Sequence, residues 1–192
     1  MQDQHSRSSA SEYEERRWIE KAQKEPQAFE RIFEKYHDLI FNYVLRRLCN
    51  ASLAEDITAN TFLKAIHNIR RFEWQGISIA AWLYRIATNE INQNYRKYRR
   101  MLPLTTELVD NLMSEQTTDS ELIAVDEHLQ KNQKFKQASA ALSRIKLKYQ
   151  TVLTLRYFEE KSIQEIAEIL GKNENTIKTQ IRRGLIYLRR QL

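Results

Sequence analysis

Two sets of side chains in this sequence have the types and the spacing that nucleic-acid chemistry uses. Arg85, Asn89, Asn92 and Arg96 step by four, three and four, so a helix would carry them in one line. Tyr84, Ile91, Tyr95 and Tyr98 flank that line, and Arg99 and Arg100 close it. Arg and Asn donate to phosphates and base edges, and aromatic rings offer stacking surfaces for unpaired bases. Asn is a poor helix former, so helix propensity alone does not account for Asn89 and Asn92 in one helix interior. In the second set, Asn175, Lys178, Thr179, Arg182 and Arg183 share an outward face, opposite the apolar Ile177, Ile181, Leu185 and Leu188. Side chains of this kind on one helix reach base edges and phosphates in a major groove. Residues 172–192 hold six basic residues and one acidic residue, which suits a polyanion.

Catalytic chemistry has no comparable constellation. The four histidines (5, 37, 67 and 128) lie far apart and make no metal-ligand spacing, so neither metal nor cofactor is expected. Three glycines are too few for a glycine-built phosphate cradle, and no zinc-protease helix or nucleophile elbow occurs. The sequence therefore reads as a non-enzyme. Cys49 is the single cysteine and cannot form an internal disulfide, which suits a reducing cytoplasm. Residues 1–11 are polar, without the apolar stretch of a signal peptide, and no apolar run reaches 18 residues, so no membrane insertion is expected.

The elements that must position these faces are helical. Only three Gly and two Pro occur in 192 residues, and a turn-rich β fold needs more of both. Phe29, Ile32, Phe33, Tyr36, Ile40, Tyr43, Val44 and Leu48 make one apolar helical stripe. Ser52 and Glu55 have capping-box spacing for a next helix, whose stripe is Phe62, Leu63, Ile66 and Ile69. A loop follows at 72–76, and then a helix whose core side is Ile79, Trp82, Leu83 and Ile86. Farther on, Leu142, Ile145, Tyr149, Val152, Leu153 and Phe158 outline a single helix. Ser162 and Glu165 form a second capping box, Gly171 is placed for a left-handed turn, and Asn173 is an N-cap for the last helix. Ala167 is the small residue at the crossing of a helix-turn-helix.

Charge divides the chain. Residues 1–84 balance, 85–100 carry five basic and one acidic residue, 101–136 carry three and seven, and 137–192 carry eleven and five. The reading is an all-α chain with two small helical domains joined by a flexible acidic linker. Its parts are a mostly disordered tail at 1–24, a domain at 25–100, the linker at 101–136 and a helix-turn-helix domain at 137–192.

Three stretches carry a family resemblance. Ala54-Glu55-Asp56-Ile57-Thr58 with Thr61-Phe62-Leu63 is similar to the polymerase-clamp-binding segment of extracytoplasmic-function (ECF) sigma factors. Trp82-Leu83-Tyr84-Arg85-Ile86-Ala87-Thr88-Asn89 resembles the most recognisable segment of their minus-ten-reading domain. Ser162-Ile163-Gln164-Glu165-Ile166-Ala167 through Thr176-Ile177-Lys178 resembles their helix-turn-helix for the minus-thirty-five element. The resemblance implies a subunit that directs bacterial RNA polymerase to promoters. By it, Glu55, Asp56 and Asn60 would contact the clamp formed by the largest core subunits. Phe72, Trp74, Arg85, Asn89, Asn92 and Arg96 would meet minus-ten DNA, with Asn89 at a pocket for a base flipped from the melted non-template strand. Asn175, Thr176, Lys178, Thr179, Arg182 and Arg183 would hold the minus-thirty-five duplex. Ala59 and Asn60 stand where the family usually has Gln and an acid. The family also implies an anti-sigma partner, often membrane-tethered, that would mask these faces. The alternative reading is a stand-alone helix-turn-helix regulator.

Overall fold

A computed structural model describes the backbone of residues 3–74, 78–101 and 141–191, and the side chains of 13–74, 78–97 and 141–191. These residues form helices and turns, with no strand among them. The linker assigned to 101–136 lies almost wholly outside the described residues, as do the loop positions 75–77.

The first module is built from α1 (Asp3–Lys24), α2 (Glu30–Leu48), α3 (Ala51–Asn68) and α4 (Ile79–Met101), with short 3-10 turns at Pro26–Phe29 and Ile69–Arg71. Ile32, Tyr36, Ile40, Tyr43, Val44 and Leu48 of the α2 stripe are buried, as expected from their helical spacing. They meet Ile57, Phe62 and Ala65 of α3 and Leu83, Ala87 and Ile91 of α4 in one core. A polar string runs through it: the buried Arg47 donates to the Tyr43 hydroxyl (3.2 Å), which pairs with Thr88 Oγ1 at 2.8 Å. Phe33 and Leu63 depart from the expected core stripes, being 41% and 55% exposed. Both sit at the edge of their stripes, where α2 and α3 leave a ridge open.

Within the stretch read as a tail, Asp3–Lys24 form α1. Ile19 and Ala22, one turn apart, are 4% and 1% exposed, and that buried edge seats the helix on the module. Lys35 holds it from the other side, pairing with Glu15 at 2.7 Å and lying 5.2 Å from the Trp18 ring centroid. The start of α3 is capped by Asn50, whose side chain accepts from Leu53 N–H at 2.8 Å. Ser52 therefore lies inside the helix, and the Ser52–Glu55 capping box is not used. Asn50 takes the N-cap position two residues before Ser52, and its side chain serves the N–H of its own third residue on, Leu53.

The second module comprises a helical turn at 141–143, then α5 (Leu147–Tyr157), α6 (Ile163–Leu170) and α7 (Glu174–Arg189). The single helix expected from Leu142 to Phe158 is broken at Lys146, whose backbone is extended (ψ 137°). Gln150 secures the break by donating to the carbonyls of Ser143 (3.1 Å) and Ile145 (2.8 Å). Three helix-turn-helix signals hold. Ser162 and Glu165 cap each other at 3.1 and 2.8 Å. Gly171 ends α6 at φ +60°, a conformation that costs a residue with Cβ but not glycine. Asn173 caps α7 by accepting from Asn175 N–H at 2.8 Å. Gly184, which the sequence pattern did not single out, lies buried where α7 crosses α5. A Cβ there would stand 3.2 Å from Leu153 Cγ and 3.3 Å from Tyr149 Cβ.

The modules touch through polar groups. Glu159, just after α5, accepts from Arg46 of α2 and from the Tyr84 hydroxyl of α4, each at 2.7 Å. Arg85 donates through Nε to the Ile169 carbonyl at 3.0 Å and through Nη2 to the Glu168 carbonyl. Those carbonyls end α6, where the helix dipole favours a cation.

Candidate nucleic-acid interface

The helix line expected from Arg85 to Arg96 is divided in space. Asn89 is exposed at the rim of an open cleft of about 390 Å³ between the end of α3, the 69–71 turn and α4. Phe72, Trp82 and Ile86 give the cleft an apolar wall, and Lys64, Asn68, Arg71, Glu90 and Gln93 give it a polar border. Phe72 is nearly buried, and its ring lies 5.0 Å from Trp82 and 6.4 Å, edge-on, from Trp74. Lys64 and Glu90 join α3 to α4 across the border at 2.5 Å. The space has the character of a ring-binding site, with a tilted aromatic wall and a border of amide and charged groups that fix orientation.

Trp74 backs Phe72 without lining the cleft. Arg85 faces away from it, held by the end of α6. Asn92 is half-buried and Arg96 exposed on the same helix. Trp82, Ile86 and Gln93 were not among the expected site residues. Their signal was present in the spacing, since 82, 86, 89 and 93 repeat at steps of four, three and four, but Trp82 and Ile86 read as core.

On α3, Glu55, Asp56 and Asn60 are all exposed on one ridge with Ala59 and Leu63. Phe33 of α2 packs edge-on against Phe62 at 4.9 Å beside that ridge. The result is an acidic end followed by an apolar step.

On α7, Ile177 and Gly184 are buried while Asn175, Thr176, Lys178, Arg182 and Arg183 are exposed and Thr179 is half-exposed. At 100° per residue, Asn175, Lys178, Thr179 and Arg182 fall within one arc about 100° wide, opposite Ile177. Thr176 and Arg183 flank the arc. Glu174 pairs with Lys178 at 3.7 Å in an exposed geometry of little energetic weight. Leu185 of the expected apolar side is 40% exposed, beside Ile186 and Tyr187. Among the described residues no group of His, Cys, Asp and Glu could hold a metal ion.

Both modules match known families. Residues 32–101 match the Sigma-70 region 2 family and residues 135–188 match Sigma-70, region 4. The chain is 33% identical over 177 residues to the ECF RNA polymerase sigma factor BldN of Streptomyces coelicolor, covering 91% of this chain and 64% of that one. It is 32% identical to the RNA polymerase sigma factor YlaC of Bacillus subtilis, covering 86% of this chain and 92% of the relative. The ECF RNA polymerase sigma factor SigW of the same organism is also 32% identical, with 86% and 89% covered. In fold, the sigma factor RpoE of Bartonella quintana, solved with the anti-sigma factor NepR, matches with a TM-score of 0.63 at 21% identity over 85% of this chain and 95% of that one. CnrH, solved with the cytosolic domain of CnrY, also matches with a TM-score of 0.63, at 16% identity over 91% and 94%. With both matched regions in order, and with relatives above 30% identity aligned along most of their length, the chain belongs to the ECF sigma factors of bacterial RNA polymerase.

Proposed function

We propose that this sigma factor docks on core RNA polymerase through the Glu55–Asp56–Asn60 ridge of α3, grips the minus-thirty-five duplex with α7, and captures a base of the melted minus-ten strand in the cleft beside Asn89. The observation that carries the reading is the cleft, with an aromatic wall of Phe72 and Trp82, cationic and amide groups on its border, and Asn89 at the rim. Extruding a base costs a few kcal/mol of stacking and pairing, so a site that binds the extruded base supplies energy for melting. Asn offers a donor and an acceptor to a base edge, and Trp82 offers a ring face.

No step requires a side chain of this chain to react. The factor acts by binding, and the polymerase supplies the chemistry of RNA synthesis. Each module is small and reads little DNA, and tethering both to one polymerase raises their effective concentration at the promoter. The work takes place in the cytoplasm. An anti-sigma protein is its natural antagonist, a role supported by the solved RpoE, which was determined with the anti-sigma factor NepR.

Run-off transcription tests the reading. Sigma-free bacterial core polymerase is supplied with the chain and a pool of genomic fragments from its host. Discrete start sites are expected, and they should vanish when Asn89→Ala and Arg182→Ala are combined. Initiation that is absent, or indifferent to both substitutions, would refute it.

A further inference from the structure

We infer that Gln23 is a positioning residue for the minus-ten cleft, an inference that rests on the reading of that cleft given above. Gln23 stands in the last turn of α1, ahead of the segment that matches the region 2 family. Its side-chain amide donates to two backbone carbonyls of the first module, Ile69 at 3.1 Å and Phe72 at 2.7 Å. The two acceptors bracket the 3-10 turn Ile69–Arg71, which Phe72 closes by donating its N–H to the Ile69 carbonyl at 3.0 Å. One planar amide thus ties both ends of the reversal that delivers Phe72 to the cleft wall.

The amide is itself fixed. Ala22 beside it and Ile19 one turn earlier are buried in the module, so the reach of Gln23 is set by packing and not by a free helix end. The Ile69 carbonyl, already paired with the Phe72 N–H, gains a second donor from Gln23, and the Phe72 carbonyl just past the turn is served by the same amide. Without that donor the 69–72 segment keeps its ring packing on Trp82 but loses the tie that fixes its depth against Asn89. A base-binding wall works only when the groups behind it hold its geometry. Gln23 touches no DNA in this scheme. It acts through Phe72.

The test uses holoenzyme assembled from the full chain and core polymerase, on a promoter fragment recovered by run-off mapping. Permanganate reactivity of thymines in the minus-ten region reads melting, and competition for core polymerase reads docking. Gln23→Glu keeps the size of the side chain and removes both donors. Gln23→Lys supplies a donor again, and Asn89→Ala reports on the cleft itself. Two net hydrogen bonds correspond to about a tenfold effect. The expected result is that Gln23→Glu lowers the melted fraction about tenfold at unchanged core affinity, with partial recovery in Gln23→Lys. Wild-type melting by Gln23→Glu, while Asn89→Ala melts poorly, overturns the role of Gln23 and leaves the cleft standing. Loss of core affinity in step with melting also overturns it, since that marks a general structural tie. Wild-type melting by Asn89→Ala overturns the cleft reading and this inference together.

Discussion

Gly184 is the residue at which a single methyl decides a packing distance. Its Cα lies so near α5 that an added Cβ would meet Leu153 Cγ and Cδ1 at 3.2 Å. Alanine there gains about 1 kcal/mol of helix propensity and needs Leu153 to shift by a few tenths of an ångström, so Gly184→Ala is expected to be close to neutral. Leucine cannot be accommodated that way. Gly184→Leu should destabilise the second module by about 1–3 kcal/mol through overpacking, read as faster amide exchange in α5 and α7. Unchanged exchange would mean that the helices do not cross this closely. Gly171 differs in kind, because open space surrounds it and only its φ of +60° demands glycine. Backbone demands of that sort are visible in a sequence, as the Gly171 turn was. Close approaches such as that of Gly184 are not, since its two neighbours come from about 30 residues earlier in the chain.

At the scale of elements, caps and turns decided what the sequence disclosed. The Ser162–Glu165 capping box was legible because both of its bonds are local. Partial burial works against ionisation of Glu165, but hydrogen bonds from the Ser162 N–H and hydroxyl, with Lys161 nearby, hold its carboxyl below the usual range. A carboxyl lowered by folding stabilises the fold above its unfolded value of about 4.3 and loses that contribution as pH falls through the folded value. Glu165→Gln should therefore be less stable than wild type at pH 7, with the gap closing below about pH 4. Urea denaturation across that range reads the effect, and a gap independent of pH would show that the charge of Glu165 plays no part. The first capping box was misread for a related reason. Asn50 and Ser52 both offer cap chemistry, and only the tertiary placement of α3 selects Asn50. The break at Lys146 escaped notice because the apolar spacing continues smoothly across it, while the Gln150 side chain that secures it carries no signature. Residues 1–24 were similarly silent. Among the described side chains, 13–24, the buried edge is Ile19 and Ala22, too sparse a pattern to declare a packed helix. Within the cleft, Asn89 and Phe72 could be named from the sequence, but Trp82 and Ile86 could not, because an aromatic wall shares the helical spacing of a core.

Across the whole molecule, the contact between the modules constrains how it can work. Arg85, one of the side chains assigned to minus-ten DNA, is bonded to the end of α6 in the helix-turn-helix. Elements named for positions minus thirty-five and minus ten lie about 25 base pairs apart, or about 85 Å along B-form DNA. Modules joined by 2.7 Å bonds from Glu159 to Arg46 and Tyr84 do not span that length, so promoter binding on the present reading requires them to part. The chain permits it, for the 39 residues between Met101 and Ala141 reach at most about 140 Å when extended. The Glu159 side chain is 5% exposed and that of Arg46 22%, so water screens this pair far less than a surface pair. Removing one partner of a buried pair costs about 3–5 kcal/mol, which is more than a hundredfold in an open–closed equilibrium. Glu159→Ala, and Arg85→Ala at the other end of the contact, should therefore each raise the radius of gyration of the free chain in small-angle X-ray scattering. Each should also speed amide exchange at the facing ends of α4 and α6, while the cores of both modules stay protected. The double variant should open no further once either substitution has already parted the modules. Scattering curves that superpose on wild type for both single variants would mean that the apolar packing around these polar groups, and not the Glu159 and Arg85 bonds, holds the modules together.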